Sequence, residues 1–415
     1  MMEKTATTAP VTKAVAQSTT SQSVSKSMLF SVLNKIDKIH LTLVDQTQNE
    51  PQIHYFGKPT AKIHADVQFC DPQAYSQILK NGAIGAAEAY IQGHWQSSNL
   101  TKLIEAFVVC QNELDAIEAK TSWLTKLKNT ILHWKNRNTI NKSKQNILAH
   151  YDLGNELYQG FLDRDMMYSS AIYPTEESNL DEAQQHKLDT ICQRLELKPG
   201  ERLLEIGTGW GGLAIYAASH YGCEVTTTTI SQAQFQYAEK RIEALGLENK
   251  ITLIKQDYRR LKGRYDKLVS IEMIEAVGHE YYGTFFEQCN KLLKPGGKML
   301  IQAITIADQR FEHYKHNVDF IQRHIFPGGC LPSIEIMTRH LRKDTDMVLE
   351  SLHDIGLDYA KTLRDWRVKF NENWPSIKPH GFDERFKRLW NFYFCYCEGA
   401  FVQRATSTVH FIARK

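Results

Sequence analysis

The stretch LLEIGTGWGG, Leu203 to Gly212, reads as the end of a strand running into a glycine-rich turn. Glycines supply positive φ and let the backbone approach a ligand closely. The spacing here, Gly207, Gly209, Gly211 and Gly212, is not G-x-G-x-x-G, and Glu205 stands just before it. Pyrophosphate binders hold negative charge at a helix N-terminus. A carboxylate beside the turn suits instead a ligand carrying an ammonium group. S-adenosylmethionine (SAM) is such a ligand, with adenosine at one end, an amino acid at the other and no phosphate. NAD and a purely structural turn are the alternatives on this stretch alone.

Working outward, strand and helix patterns alternate from Leu195 onward. Candidate strands are Arg202–Ile206, Val225–Thr229, Ile251–Lys255, Lys267–Ile271 and Lys298–Ala303, with a last one over Thr408–Arg414. Ser231 is placed to N-cap one of the intervening helices. The alternation predicts an α/β doubly wound sheet, whose ligands bind at the carboxyl ends of the strands. Thr229 and Gln234, in TTTTISQAQ, suit a ribose or a methionine tail. Gln256, Asp257 and Tyr258, in KQDYRRL, suit an adenine edge and face. Glu272 and Glu275 follow in SIEMIEAVG, and Gln302 in LIQAITI. A dinucleotide site would usually carry an acid after the second strand, and none is present. One such residue alone is ordinarily a turn former; five consecutive strand ends bearing them argue together for a site.

The rest of the chain frames that unit. At 415 residues it exceeds one compact domain, so two domains, or one with a large appendage, are expected. The hydrophobic fraction of 42% suffices for a core, and no run of eighteen apolar residues is present to span a bilayer. The N-terminus lacks a charged-then-apolar secretory pattern. A net charge of +3 gives no global pull toward nucleic acid. The eight cysteines form no C-x-x-C pairs, which argues against a zinc site or disulfide framework and fits a reducing cytoplasm. His313, His316 and His324 lack metal-ligand spacing and read as loop and helix residues.

Composition divides the chain further. Residues 1–27, rich in Thr, Ser, Ala and Gln, read as a disordered tail. Residues 28–118 read as an N-terminal domain, in which NGAIGAAEAYIQGHW, Asn81 to Trp95, is helix-like and bracketed by glycines. Residues 119–146 read as a basic amphipathic linker, and 147–415 as the α/β domain. Between Lys120 and Lys144 stand seven Lys or Arg and no Asp or Glu. Trp123, Leu124, Leu127, Ile131 and Trp134 share one face of a helical wheel. That pattern fits a helix lying in a membrane interface. A domain-linking helix whose tryptophans pack on the α/β domain fits it equally.

HYDLGNELYQGFLDRDMMYSSAIYP, LLEIGTGWGGLAIYAA, TTISQAQ, QDYRRL, SIEMIEAVG, RHIFPGGCLPS and IGLDYAKTL together resemble the cyclopropane-fatty-acyl-phospholipid synthase family. The mycolic acid cyclopropane synthases and methyltransferases are related to it. The resemblance runs from about His150 to Lys415. NGAIGAAEAYIQGHW resembles the N-terminal domain of the phospholipid enzymes, which the shorter mycolic type lacks. The resemblance implies a SAM-methyltransferase (Rossmann-like) sheet with a smaller, lipid-binding N-terminal domain. It implies a cytoplasmic enzyme held peripherally on the inner face of the membrane, with the phospholipid bilayer as partner through an anionic leaflet, no nucleic acid, and room for a homodimer. The implied reaction places the methyl of SAM on a cis double bond of an acyl chain already in a phospholipid.

An alkene is a poor nucleophile, so the sulfonium methyl must be held in line with the π bond. Attack leaves a carbocation, and loss of a proton from the new methyl closes a cyclopropane. The resemblance implies SAM contacts at Tyr168, Ser169, Gly207, Gly209, Thr229, Ile230, Gln234 and Tyr258. In the family a bound bicarbonate acts as base, held by a Cys, a Glu, a His, a Tyr and backbone near an Ile. By position these are Ser170, Glu275, Gln302, Tyr359 and Ile304, so the Cys and His positions depart from the pattern. The Ser change is mild where the contact runs through backbone. The Gln change is larger, because an imidazole carries a proton near neutral pH and an amide does not. Three readings follow: a cyclopropane synthase with a retuned anion site, an acyl-chain methyltransferase leaving a methyl branch or methylene, and a non-catalytic SAM-binding lipid-surface protein.

Overall fold

The computed structural model of the chain describes residues 20–111 and 154–415. The chain divides into two compact units, Met1–Glu118 and Ala119–Lys415.

In the first unit strands β1 (Ile39–Asp45), β2 (Gln52–Gly57), β3 (Ile63–Phe69) and β4 (Trp95–Gln96) form a sheet in the order β2-β1-β3-β4. Ile39, Leu41 and Leu43 alternate along β1 into the core, the period of a strand with one buried face. Two expectations change here. The tail read as disordered through residue 27 becomes helical at Thr20, because a helix Thr20–Leu33 docks on the sheet. Phe30 packs edge-on against Phe56 at 5.1 Å between centroids, and Lys26 Nζ reaches the buried Asp45 carboxylate at 2.5 Å. These tertiary contacts outweigh a low-complexity composition. The glycine-bracketed segment is also not one straight helix: Gln73–Ile91 kinks at Gly82, with φ 54°, and Trp95 belongs to β4, opposite Phe69.

The second unit is built on seven strands: β5 (Arg202–Ile206), β6 (Glu224–Thr229), β7 (Ile251–Lys255), β8 (Tyr265–Ile271), β9 (Leu293–Ile306), β10 (Val348–Asp354) and β11 (Thr406–Arg414). Their order is β10-β11-β9-β8-β5-β6-β7. The pairs from β7 to β9 are parallel, and β11 pairs antiparallel with β9 and with β10. This is the expected doubly wound sheet, with helices on both faces. Neighbouring residues go to opposite cores: Leu204, Leu268, Met299 and Phe411 to one, Leu203, Val269, Leu300 and Ile412 to the other. Burial on both faces explains why these strands read as continuous apolar runs. Strand β10 was missed by the sequence reading. It is an edge strand whose Val348 is 70% exposed, so it carries no core-facing alternation. The chain order reverses between β6 and β8 around β5, which puts the crevice of the fold at the glycine turn.

Candidate active site

The turn after β5 holds Gly207, Gly209 and Gly211 at φ 103°, 53° and 90°. A side chain added at Gly212 would meet Met167 Sδ at 2.4 Å and the Asp165 carbonyl at 3.0 Å, so the helix Gly212–His220 starts hard against its neighbour. At Gly209 the added carbon would meet nothing within 4 Å. The turn therefore presents an open cradle of bare backbone. The Gly207 and Thr208 amides donate to the Thr228 carbonyl at 3.1 and 3.0 Å, tying the turn to β6.

Glu205 sits beneath this cradle rather than at its mouth. It is 2% exposed, and Thr227 Oγ1 donates to its carboxyl at 2.6 Å while also bonding Thr208 Oγ1 at 2.7 Å. Burial pushes the Glu205 carboxyl up to about 8, against the pull of the Thr227 hydroxyl and Lys187. It braces the turn through Thr227. On the next strand end Thr229 Oγ1 donates to Gln234 Oε1 at 2.9 Å, and Ser231 caps the helix Gln232–Ala244 by accepting from the Gln234 amide at 3.3 Å. Ile230 stands between them, part-buried. Asp257 caps the short turn Tyr258–Arg260 and is forked by Arg259 at 2.9 and 2.6 Å. Burial opposes its charge, but the Arg259 pair holds its carboxyl below the ordinary value. Its carboxylate is thus committed to Arg259. Gln256 Nε2 donates to the Arg260 carbonyl at 3.3 Å, and Tyr258 packs edge-on to Phe285 at 5.5 Å.

The ends of β8 and β9 carry the densest chemistry. Ile271, Gln302 and His410 lie in one row across β8, β9 and β11. Glu272 follows directly, in the left-handed region at φ 46°, with its amide donating to the Gln302 carbonyl at 2.7 Å. A non-glycine residue held there is uncommon and clusters at working sites. Its Oε1 accepts from the Ser170 amide at 2.8 Å and from Gln302 Nε2 at 2.7 Å. Its Oε2 accepts from the Tyr359 hydroxyl at 2.9 Å. Glu275 has one donor, the Ile304 amide at 2.5 Å, and its Oε2 is buried with no hydrogen-bond partner. Ser170 acts here through its backbone; its hydroxyl turns away to the Ala171 carbonyl. So Ser170, Gln302 and Tyr359 converge on a residue, Glu272, that the resemblance had not placed among them, while the Ile304 amide donates to Glu275 instead.

Electrostatics divide the two acids. Burial raises both, and the Glu272 charge raises Glu275 further, to about 8. Glu272 has three donors and the field of Lys187; Glu275 has backbone donors alone. Like charges this close cannot both ionise freely, so Glu272 carries the charge and Glu275 the proton near neutral pH. Lys187, fully buried, donates to Ser169 Oγ at 2.8 Å and is the cation among Asp163, Glu205 and Glu272. Burial lowers it to about 8, which leaves it charged at neutral pH. Behind Gln302 stands His410, with Arg194 Nη1 2.6 Å from Nδ1 and Gln302 Oε1 3.0 Å from Nε2. An arginine only donates. His410 Nδ1 therefore accepts, its Nε2–H donates to Gln302, and the Gln302 amide is left aiming its own N–H at Glu272. Burial and Arg194 hold the His410 ring far below its usual pKa, hence neutral.

An aromatic wall adjoins these carboxyls. The Tyr168 ring lies 5.2 Å from Trp366 and 6.3 Å from Phe326, and the Tyr359 ring 4.6 Å from Phe401. The Tyr168 hydroxyl meets that of Tyr393 at 3.0 Å.

Comparison with known proteins assigns the chain to a family. The family model for mycolic acid cyclopropane synthetase matches residues 138–411. The chain belongs to this family. It is 38% identical over 350 residues to the cyclopropane-fatty-acyl-phospholipid synthase of Escherichia coli K12, covering 82% of this chain and 85% of that one. It is 35% identical over 332 residues to the tuberculostearic acid methyltransferase UfaA1 of Mycobacterium tuberculosis, covering 78% and 77%. Among solved structures, the cyclopropane synthase MmaA2 of M. tuberculosis superposes with a TM-score of 0.61 at 28% identity, over 66% of this chain and 98% of that one. The mycolic acid cyclopropane synthase CmaA1, complexed with SAH and CTAB, gives 0.61 at 27% over the same shares. As a member of the cyclopropane synthetase family the chain is a SAM-dependent methyltransferase of the cyclopropane-fatty-acyl-phospholipid synthase type. Its relatives indicate cyclopropanation or methylation of lipid acyl chains.

The glycine turn, with Thr229 and Gln234, fits the SAM that this family uses, since the bare backbone at Gly209 leaves the space a ligand needs. Bicarbonate does not fit in the same way. The Ser170 amide, Gln302 and the Tyr359 hydroxyl, which the resemblance would give to that anion, are all donating to Glu272.

Proposed function

We propose that this enzyme transfers the methyl of SAM to a cis double bond of an unsaturated acyl chain in a membrane phospholipid and closes the product to a cyclopropane. The observation that carries this reading is a half-buried carboxylate, Glu272, held by three donors and set between the glycine turn and an aromatic wall. SAM supplies an electrophilic methyl. The aromatic faces of Tyr168, Trp366 and Phe326 exclude water and favour positive charge, which stabilises a carbocation on the acyl chain by roughly 0.5–2 kcal/mol per contact. The carboxylate region then takes a proton from the new methyl group, and the C–H electron pair closes the ring. Without that proton transfer in water-free surroundings the cation would be quenched as a branched or hydroxylated chain.

The bilayer is the proposed partner, reached peripherally from its inner, anionic leaflet. Among the described residues no helix is long and apolar enough to cross a membrane. The basic segment 119–146, on which docking rests, lies outside the described residues. A second reading, a methyl-branched or methylene product, is favoured by one specific feature: Gln302 cannot relay a proton as an imidazole would.

Expression in a host lacking its own synthase tests both. Unsaturated phospholipids are expected to gain one CH2 unit. Mild catalytic hydrogenation reduces a methyl-alkene and leaves a cyclopropane intact. Reduction of the product would replace the cyclopropane reading with the branching one; methylated small polar molecules beside untouched lipids would remove both.

A further inference from the structure

We propose that Glu272 is a resident base, which takes the proton in place of any free anion. The proposal rests on the acyl-chain methyl transfer above and assigns its proton acceptor. Three observations carry it. The first is placement. Glu272 and Met273 leave β8 next to the glycine turn, and a Cβ at Gly207 would come within 3.5 Å of Met273. Ser270 Oγ meanwhile donates to the Ile206 carbonyl at 3.0 Å. The carboxylate is therefore fixed at the crevice where β5 and β8 end, held there by a backbone at φ 46°.

The second is the donor count. A carboxylate offers about four lone-pair positions. Glu272 Oε1 has two filled, by the Ser170 amide and Gln302, and Oε2 has one filled, by Tyr359. One acceptor position on Oε2 is left, beside the Tyr359 ring and the aromatic wall. A second small anion placed among these donors would meet the Glu272 charge and find Ser170, Gln302 and Tyr359 already bonded.

The third is the surrounding charge. Lys187 balances Glu272 from the side of Ser169, and Glu275, one turn on, keeps its proton and adds no competing charge. The step balances. The C–H bond of the transferred methyl breaks, its electron pair forms the third ring bond, and its proton passes to Oε2 of Glu272. Glu272 returns that proton to solvent when products leave.

The full-length enzyme is assayed with unsaturated phosphatidylglycerol vesicles in buffer stripped of carbon dioxide, with and without excess added bicarbonate. S-adenosylhomocysteine release and the lipid mass gain are read in the same samples. Wild-type turnover is expected to change less than about twofold on adding bicarbonate, and Glu272→Gln to lose at least about 100-fold. Glu272→Gly, which the left-handed backbone tolerates, opens the space among the three donors and should regain turnover only with bicarbonate present. Binding of 13C-labelled bicarbonate, followed by NMR, is expected for Glu272→Gly and not for wild type, independently of activity. Wild-type product that appears only with bicarbonate, or labelled bicarbonate bound by the wild type, overturns the proposal. Failure of the functional reading looks different: no lipid mass gain in either buffer, with the binding contrast still deciding Glu272. Should Glu272→Gly not fold, Glu272→Ala gives the same binding contrast.

Discussion

At the scale of single residues, two acids three positions apart differ in protonation because Glu272 accepts from three donors and Glu275 from backbone alone. Glu275 makes this measurable. Its folded pKa of about 8 lies above the ordinary 4.5, so the folded state binds the extra proton. Its contribution is full below about 4.5 and is lost as pH rises toward 8. Glu275→Gln keeps the acceptor for the Ile304 amide and cannot ionise. Its melting temperature should gain on the wild type progressively from pH 5 to pH 8 and level off above that; a constant difference across the range would mean Glu275 is ionised throughout. Gln302 gives the complementary result. Gln302→Leu removes one of Glu272's three donors and leaves the His410 N–H unpaired. Turnover should fall roughly tenfold at neutral pH. With less support for its charge, Glu272 ionises at higher pH, so the acid limb of the pH–rate profile moves upward. A fall in rate with no movement of that limb would give Gln302 a packing role alone. Glu272 was named with Glu275 as a strand-end candidate in SIEMIEAVG but was given no role. Nothing in the local sequence shows that it turns left-handed and meets Ser170, 102 positions earlier. Lys187, Arg194 and His410 were missed for the same reason: each reads as an ordinary helix or strand residue until the sheet register sets it behind the site.

At the scale of elements, legibility follows how locally an element is determined. β5 and β7 match their expected spans, Arg202–Ile206 and Ile251–Lys255, because both are short apolar runs ended by turn residues. β9 extends beyond Lys298–Ala303 at both ends: it begins at Leu293, ahead of Pro295, Gly296 and Gly297, and its pairing with β11 continues past Ala303 as far as Ile306. The kinked helix Gln73–Ile91 was half legible. Its glycines stood out; the close approach they permit did not. A Cβ on Gly85 would fall 2.0 Å from the Gln77 carbonyl oxygen and 2.7 Å from its carbon, both backbone atoms that cannot swing away. Gly85→Ala should therefore destabilise the first unit by about 1–3 kcal/mol, the usual cost of overpacking. Limited proteolysis would then cut within residues 20–111 at lower temperature than in wild type, with SAM binding by the second unit unchanged. Equal protease resistance would show that the helix shifts register to absorb the methyl group.

At the scale of the whole molecule, the proposed phospholipid substrate raises the question of how the enzyme reaches a bilayer. A net charge of +3 over 415 residues gives little general attraction to an anionic surface. The positive charge is instead concentrated between Lys120 and Lys144, alongside Trp123 and Trp134. Four substitutions there, Lys126→Gln, Lys128→Gln, Lys135→Gln and Arg137→Gln, separate membrane docking from a linking role. Each basic residue near an anionic surface is worth about 1 kcal/mol, so the four together bound the loss at roughly 4 kcal/mol, or about 1000-fold in partitioning. The Debye length near 0.15 M salt is about 8 Å, so the deficit should be largest at low ionic strength and shrink as salt is added. Sedimentation with phosphatidylglycerol vesicles reads the partitioning. Turnover on the same lipid dispersed in neutral detergent micelles should stay within about twofold of wild type, because the chemistry at Glu272 is untouched and only delivery is weakened. Loss of activity in micelles together with vesicles would assign the segment to the integrity of the enzyme, and unchanged sedimentation would move the membrane contact to another surface.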